Sequence, residues 1–134
     1  MCMKTIFHRI IENEVPSHTV YESDEVYGFL DIEPVTKGHS LLIPKEYSKN
    51  IFDVPPGTYK RLMNAAQKLA AHYKDILPCS GINIVQSNGV EAEQDVPYIH
   101  VHVIPRYKDD NFSLWQGRTT VQYDLETLAE KIRL

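Results

Sequence analysis

The segment YIHVHVIPR, residues 98–106, places two histidines two positions apart in an otherwise apolar run. Side chains of a β-strand alternate between its two faces, so Tyr98, His100 and His102 are predicted to share one face, with the intervening Ile and Val residues on the other. Pro97 and Pro105 bracket the segment and are expected to limit the length of its hydrogen-bonded ladder. The pattern therefore predicts two neighbouring imidazoles over an apolar backing.

Periodic patterns on both sides of this segment predict the other elements of the fold. Helical spacing covers residues 3–12 and about 58–76, alternating patterns indicate a hairpin over 19–31 and strands over 39–44 and 82–87, and Asp124 is the expected N-cap of a last helix. A polar loop, residues 89–97, precedes the histidine strand. The sum is a single α+β domain, 1–134, with a core over about 3–110 and a C-terminal tail and helix over 111–134.

Composition excludes several classes of function. The chain has 134 residues, a formal net charge of −4 and scattered basic residues, so a nucleic acid polymer is not an expected partner. No apolar stretch approaches the ~20 residues of a membrane span, so no membrane partner is expected. With two cysteines and no apolar leader in the first residues, we expect a reducing, cytoplasmic location.

Three interpretations of the histidine strand are open on spacing alone. Two histidines at this spacing can chelate zinc or iron, although a mononuclear site needs further ligands and His39, at the start of another predicted strand, is the evident candidate. The segment can also be a solvated strand face. The third interpretation is a catalytic pair of imidazoles.

A resemblance favours the third interpretation. The stretch EQDVPYIHVHVIPR, residues 93–106, resembles the signature of the histidine-triad (HIT) family, in which His-x-His-x-His follows a Gly-Gln-x-Val segment and commonly precedes Pro-Arg. Residues 10–32 and FLDIEPVTKGHSLLIPK, residues 29–45, also resemble the family. The resemblance, to the nucleotide-binding branch, implies a HIT-like fold with a mostly antiparallel five-stranded sheet, one long helix and one or two short ones. By position it implies that His100 is the nucleophile.

The chain departs from the family at the first histidine of the triad, which is Tyr98 here. Many bacterial relatives hold a structural zinc through four positions that correspond to Thr5, His8, Tyr47 and Tyr98. Because three of these are not ordinary zinc donors, we expect no structural zinc and no cofactor. Tyr47 and Tyr98 are expected to fill the space by ring packing and hydroxyl hydrogen bonds. A partial site of Cys2 with His8 is the alternative.

The resemblance also implies roles for the other site residues. His102 and His39 would donate hydrogen bonds to non-bridging phosphate oxygens, with help from the backbone amides of residues 93–95. Asp31 would accept from the ribose hydroxyls. Asn88 and Gln94 would be polar contacts to phosphate or ribose, and Ile32, Phe7 and Phe29 would form the base pocket. Without the family resemblance, the first two would be interpreted as turn residues and the other three as core residues. Asp95 stands where relatives often have Ser or Thr near the leaving group.

The implied function is hydrolysis or transfer at the α-phosphorus of purine nucleoside phosphoramidates or acyl-nucleotides through a nucleotidyl-His100 intermediate. Neutral imidazole suits attack on a phosphorus shielded by anionic oxygens. Two alternatives remain: a dinucleoside polyphosphate hydrolase, and a nucleotide-binding regulatory protein with weak catalysis, which the departures at Tyr98 and Asp95 favour. A homodimer is expected through the 58–76 helix and the 82–87 strand, with the segment around Trp115 crossing to the partner.

Overall fold

The fold consists of one sheet with helices on both faces. A computed structural model describes residues 3–117 and 119–134. Cys2 lies outside the described residues, and so does the partial Cys2–His8 site that was the alternative to no zinc. In chain order the elements are α1 Ile6–Ile11, β1 Thr19–Glu22, β2 Val26–Leu30, β3 Ser40–Pro44, α2 Pro56–Ile76, β4 Gly81–Val85, a 3₁₀ turn Val90–Ala92, β5 Val101–Arg106 and α3 Leu125–Ile132. The predicted α+β class, with one long helix and two short ones, is confirmed.

The five strands form one antiparallel sheet with the order β1-β2-β3-β5-β4. Strands β1 and β2 form the predicted hairpin, and β5 lies inside the sheet between β3 and β4. The β3–β5 register sets Leu41 opposite His102 and Ser40 opposite Val103. The residue before β3, His39, is thereby brought next to the histidine strand.

The strict alternation of β3 and β5 separates two apolar layers. On one face Leu42, Val101 and Val103 pack against buried residues of α2, including Leu62 and Leu69. On the other face Leu41, Ile43 and Tyr98 pack with Phe7 and Ile10 of α1 and with Phe29 of β2. All five residues of β3 are buried, as expected for a strand covered on both faces.

The histidine strand begins three residues later than the sequence predicts, at Val101, and continues through Pro105 to Arg106. The ladder starts at Val101 because the amide of Ile99 donates to the carbonyl of Ser48 and that of Tyr98 to Val96. Pro105 was expected to end the ladder, but it lies within β5, opposite Ile82 of β4. At that point β3 no longer pairs with β5, so the missing N–H of the proline interrupts nothing on that side.

The turn that leads into β3 fixes the position of His39. Gly38 has a φ of +92°, which favours glycine, and a Cβ there would lie 3.1 Å from Leu77 Cδ1 and 3.2 Å from Pro105 Cγ. Two hydroxyl hydrogen bonds attach the same loop to the end of β5: Thr36 donates to Pro105 O at 2.7 Å and Tyr107 to Lys37 O at 2.6 Å. The loop before β3 is thus tied to the end of the histidine strand.

The last helix does not close the domain within one chain. Asp124 caps α3 as predicted, accepting from the amide of Thr127 at 3.3 Å, yet every residue of α3 is exposed. Its apolar side chains Leu125, Leu128 and Ile132 are 73%, 36% and 69% exposed, so none of them is buried in the single chain. None of the helices in the described residues is both long and apolar enough to cross a membrane.

Candidate active site

Two histidines from neighbouring strands form a hydrogen-bonded pair. His39 Nε2 lies 2.9 Å from His102 Nδ1, and the Asp31 carboxylate at the end of β2 lies 3.6 Å from the same His39 nitrogen. The amide of Val35 donates to His39 Nδ1 at 3.1 Å. The hydrogen bonds assign the tautomers: His39 Nδ1 accepts, so its Nε2 has the proton and donates to His102 Nδ1. The remaining proton of neutral His102 is on Nε2, the donor that this ring offers to the cleft it lines.

His100 has the opposite tautomer. Its Nδ1 lies 2.7 Å from the carbonyl oxygen of Tyr98, which can only accept, so Nδ1 has the proton and Nε2 of the neutral ring has the lone pair. The side chain is 3% exposed and packs edge-on against Phe7, with ring centroids 5.1 Å apart. The Asp95 carboxylate lies 3.4 Å from His100 Nε2. This geometry places an unprotonated nitrogen in the cleft, as nucleophilic catalysis requires.

Burial keeps the paired imidazoles neutral. Desolvation, followed by the neighbouring His100 and His39, lowers the pKa of His102 to about 4, against the opposing effect of Asp31 and Asp95. Burial also lowers the pKa of His39, again opposed by Asp31. Both rings therefore act as neutral hydrogen-bonding groups near neutral pH, which is the state that the tautomer assignment needs.

A cleft of about 330 Å³ opens beside the histidines, within the range of small-ligand sites. Of the predicted site residues, those that line the cleft are His100, His102, Asp31, Ile32, Asp95, Phe7 and Phe29. Ile32 is 88% exposed, whereas the two phenylalanines are buried and also belong to the core. Asp31 Oδ1 accepts from the amide of Glu33 at 2.9 Å, and its side chain lines the cleft. Its contact with the ribose hydroxyls stays a prediction.

Two expectations about hydrogen-bond donors at the site differ from the structure. The one donor proton of neutral His39 goes to His102, so this arrangement leaves His39 no donor for a phosphate oxygen. The amides of Glu93 and Gln94 already donate to the carbonyls of Val90 and Gly89, so they are not available to an oxyanion. In both cases the N–H group that was expected to bind phosphate already donates to another group of the protein. Spacing along the sequence does not specify these hydrogen bonds.

Asn88 and Gln94 lie outside the cleft lining. Asn88 Oδ1 accepts from the amide of Ile51 at 2.7 Å. Gln94 Nε2 donates to Lys49 O at 2.7 Å and Gln94 Oε1 accepts from the amide of Gly89 at 2.9 Å. Both side chains hold the 86–96 loop against the segment that follows β3. Their contact with phosphate or ribose stays a prediction.

The four positions of the family's structural zinc meet beneath α1, but their side chains do not form a metal site. His8 and Tyr47 have ring centroids 4.6 Å apart, and Tyr47 and Tyr98 5.0 Å. The hydroxyls of Tyr47 and Tyr98 donate to the carbonyls of Pro97 and Pro44, and His8 Nδ1 accepts from the amide of Thr5. Burial raises the pKa of the Tyr98 hydroxyl above its usual range, which keeps it a neutral donor. These residues do not fit a structural zinc.

Among the described ranges, Asp31, His39 and His102 form a group whose ligand atoms all lie within 4.8 Å of one another. This group differs from the one that the sequence suggested, because it includes Asp31 and leaves out His100. Two of its ligand nitrogens are already hydrogen-bonded to each other, so an ion would have to replace that bond. The group is therefore satisfied as a hydrogen-bonded unit without a metal.

Sequence reasoning missed two backbone groups and one side chain. The amide of Val35 and the carbonyl of Tyr98 set the histidine tautomers, and neither has a signature in the sequence. Glu33 also lines the cleft, and its place two residues after Asp31 was the available signal. Backbone orientation, unlike residue type, requires the folded chain.

The sheet and its histidines together define a class: small α+β proteins with a cleft of neutral imidazoles on one face of an antiparallel sheet. The HIT domain model matches residues 12–109, and the chain belongs to the HIT family.

Named relatives agree with this assignment. The chain is 34% identical over 125 residues to the adenosine 5'-monophosphoramidase of Saccharomyces cerevisiae, covering 93% of this chain and 76% of that protein. The crystal structure of a HIT family member from Bacillus subtilis superposes with a TM-score of 0.83 at 36% identity, over 96% of each chain. A histidine triad nucleotide-binding protein from Candida albicans gives a TM-score of 0.78 at 30% identity, over 96% of this chain and 94% of that one. The predicted family and HIT-like fold are confirmed.

The buried imidazoles make stability depend on pH. An unfolded histidine takes up a proton below a pKa of about 6.5, whereas folded His102 does so only near 4. The free energy of unfolding should therefore fall as pH drops through this window, with His39 acting in the same direction. Both proteins should lose free energy of unfolding between pH 7 and pH 5. We expect the loss in His102→Asn, which keeps a polar partner for His39, to be about 1 kcal/mol smaller than in the wild type. Urea unfolding at both pH values measures the difference. Equal losses would contradict the burial of a neutral His102.

The zinc positions give a second prediction. Protein purified without a metal-affinity tag should contain no stoichiometric zinc, because ring packing and carbonyl hydrogen bonds occupy the four positions. Treatment with a chelator should leave the melting temperature unchanged, since a structural metal would contribute to folding directly. Elemental analysis and thermal unfolding measure the two quantities. One zinc per chain, or a large chelator-induced drop in melting temperature, would overturn the assignment.

Proposed function

We propose that this HIT protein hydrolyses purine nucleoside phosphoramidates or acyl-nucleotides by attack of His100 on the α-phosphorus. The observation that carries the proposal is the 2.7 Å contact between His100 Nδ1 and the Tyr98 carbonyl, which leaves the Nε2 lone pair in the cleft. Similarity to an adenosine 5'-monophosphoramidase supports the same reaction class. The ligand is proposed to be a purine nucleoside monophosphate group.

The nucleoside is proposed to occupy the apolar part of the cleft. Phe7 and Phe29 form its buried wall and the exposed Ile32 its rim, which suits a flat base. Asp31 Oδ2 is the carboxylate oxygen that the Glu33 amide leaves free for the ribose hydroxyls. This orientation directs the α-phosphate toward His100 and His102, at the polar end of the cleft.

The reaction is a double displacement with His100 as the covalent group. In the first step Nε2 forms a bond to phosphorus as the P–N bond of the phosphoramidate breaks, and the departing nitrogen takes a proton from water. In the second step the resulting hydroxide attacks phosphorus and the Nε2–P electron pair returns to nitrogen. The net reaction adds OH to phosphorus and H to the amine. His100 keeps its Nδ1 proton on the Tyr98 carbonyl throughout.

His102 is proposed to stabilise the charge on the non-bridging oxygens. Its Nε2–H is the donor left free by the hydrogen bond from His39, and a preoriented donor is effective where charge develops in the transition state. His39 positions this donor by fixing the tautomer of His102. Asp31, 3.6 Å from His39 Nε2, supports the same proton position.

A nucleotide-binding regulator with weak catalysis is the second candidate. The observation that favours it is the Asp95 carboxylate 3.4 Å from His100 Nε2, which opposes the approach of an anionic phosphate to the nucleophile. This candidate requires nucleotide binding with turnover close to background. Turnover measurements separate the two candidates.

The nucleophile assignment predicts a split between binding and turnover. We expect His100→Ala to abolish turnover of adenosine 5'-phosphoramidate while the affinity for AMP changes by less than about fivefold, because a nucleophile acts chiefly in the transition state. The matched control is His72→Ala on the exposed face of α2, which should keep wild-type turnover. Mass spectrometry of rapidly quenched reactions should locate a nucleotidyl adduct on His100. Turnover that survives in His100→Ala, or an adduct on another residue, would refute the assignment.

A homodimer is proposed from an apolar groove that one chain leaves open. The groove runs between α2 and the edge strand β4, and its apolar lining includes Met63, Ala66, Ala70, Ile82 and Ile84. An edge strand with unpaired backbone groups can pair with its two-fold mate and form an isologous interface. The tail offers further unburied apolar side chains, among them Trp115 at 73% exposure, which we propose to lie on the partner.

The groove makes a specific prediction about mass in solution. Light scattering should give twice the 15.4 kDa of one chain at micromolar concentration. Ala70→Glu, which adds a charge to the groove, should shift the protein toward monomer, because an unpaired buried charge is costly. Lys68→Glu, on an exposed position of the same helix, is the control and should leave the dimer intact. A wild-type monomer at high micromolar concentration would refute the interface.

A further inference from the structure

The charged side chains that line the cleft are all acidic. They are Asp31, Glu33 and Asp95, and no Lys or Arg lines the cleft among residues 3–117 and 119–134. The two histidines of the lining do not offset this charge, since a neutral His102 donates hydrogen bonds without a formal charge and His100 presents a lone pair. A polyphosphate bound here would meet negative charge without a compensating cation.

Asp95 is the acidic group nearest the attacking nitrogen. Its Oδ1 lies 3.4 Å from His100 Nε2, and its side chain is 77% exposed, whereas that of Asp31 is 20% exposed. Asp31 is further engaged by the Glu33 amide and faces His39. In the part of the chain that the structure describes, the ion pairs of Asp95 include no Lys or Arg. Its charge therefore acts on whatever enters from the open side of the cleft.

The leaving group must pass this open side. The buried wall of Phe7 and Phe29 takes the nucleoside, and in-line attack by His100 drives the leaving group away from Nε2 toward solvent. Near a protein surface, like charges a few ångströms apart repel and unlike charges attract, and salt screens both effects. A leaving group with a negative charge is thus opposed by Asp95, and one with a positive charge is favoured.

We propose that Asp95 determines specificity by charge, selecting nucleotides whose leaving group is a neutral or cationic amine over those whose leaving group is anionic. The proposal rests on the proposed nucleotidyl transfer to His100. The bond changes are the same for every phosphoramidate: Nε2–P forms, P–N breaks and the amine takes a proton from water. Asp95 changes only the free energy of the charged leaving group near the cleft mouth. Acyl-nucleotides, which release a carboxylate, and dinucleoside polyphosphates, which release a phosphate group, have anionic leaving groups and are disfavoured on the same ground, so the proposal narrows the proposed function to phosphoramidates.

The test uses three AMP phosphoramidates that differ in the charge of the leaving amine. The amines are n-propylamine, which is neutral beyond the P–N bond, 1,3-diaminopropane, which adds one positive charge, and β-alanine, which adds one negative charge. For each substrate kcat/KM and the rate of His100 adduct formation are measured with the wild type, with the near-isosteric Asp95→Asn and with Glu91→Gln. Glu91 is an exposed carboxylate of the same loop outside the cleft lining, so its variant removes an equal charge without touching the site.

The expected result is a change in ratio rather than in overall rate. Asp95→Asn should lower the ratio of kcat/KM for the cationic over the anionic substrate about three- to tenfold, and Glu91→Gln less than twofold. The change should shrink near 1 M salt, where the screening length is about 3 Å. If His100 forms an adduct and the ratio is the same in Asp95→Asn as in the wild type, charge selection by Asp95 is wrong while the proposed function stands. If the wild type forms no His100 adduct with any of the three substrates, the proposed function fails and the selection with it.

Discussion

The antiparallel register between β3 and β5 places Leu41 opposite His102, and the site depends on this pairing. It brings His39, which precedes β3, within hydrogen-bonding distance of a histidine 63 positions away in the chain. A shift of one residue would turn each histidine to the α2 face and each valine of β5 to the cleft, because side chains alternate with a period of two. The core that Val101 and Val103 form under α2 therefore also fixes which way the histidines point.

Burial of the imidazoles has a thermodynamic cost and a chemical use. Burial lowers the pKa of His102 to about 4 and also lowers that of His39, so both rings are neutral near pH 7. In a neutral ring, the hydrogen bonds determine which of the two nitrogens has the proton. Val35, His39 and His102 form one such directed chain, and Tyr98 with His100 forms another. Together they present one donor and one lone pair to the same cleft. Asp95 adds a charge at its open side.

The sequence alone predicted those features of the fold and site that depend on the type of residue at each position. The alternation in 98–106 predicted both the apolar backing and the histidine face, and the tyrosines at two of the zinc positions predicted the ring packing that occupies them. The sequence did not predict the features that depend on how segments of the backbone meet in the folded chain. Pro105 remains inside β5 because β3 no longer pairs with β5 at that point. Asn88 accepts a hydrogen bond from the amide of Ile51. Helix α3 lies exposed although its pattern suggested a closing helix. Each of these depends on which groups meet in the folded chain, information that spacing along the sequence does not contain.

The proposed chemistry depends on which nitrogen has the proton in each of the three rings, and long-range ¹H–¹⁵N correlation of the histidine side chains measures these positions. At about pH 8, where an ordinary imidazole is neutral, the account predicts that His100 is protonated at Nδ1, while His39 and His102 are protonated at Nε2. Single-residue variants of each histidine assign the signals. Protonation of His100 at Nε2, or of His102 at Nδ1, would leave the cleft without its lone pair or its donor and would contradict the account.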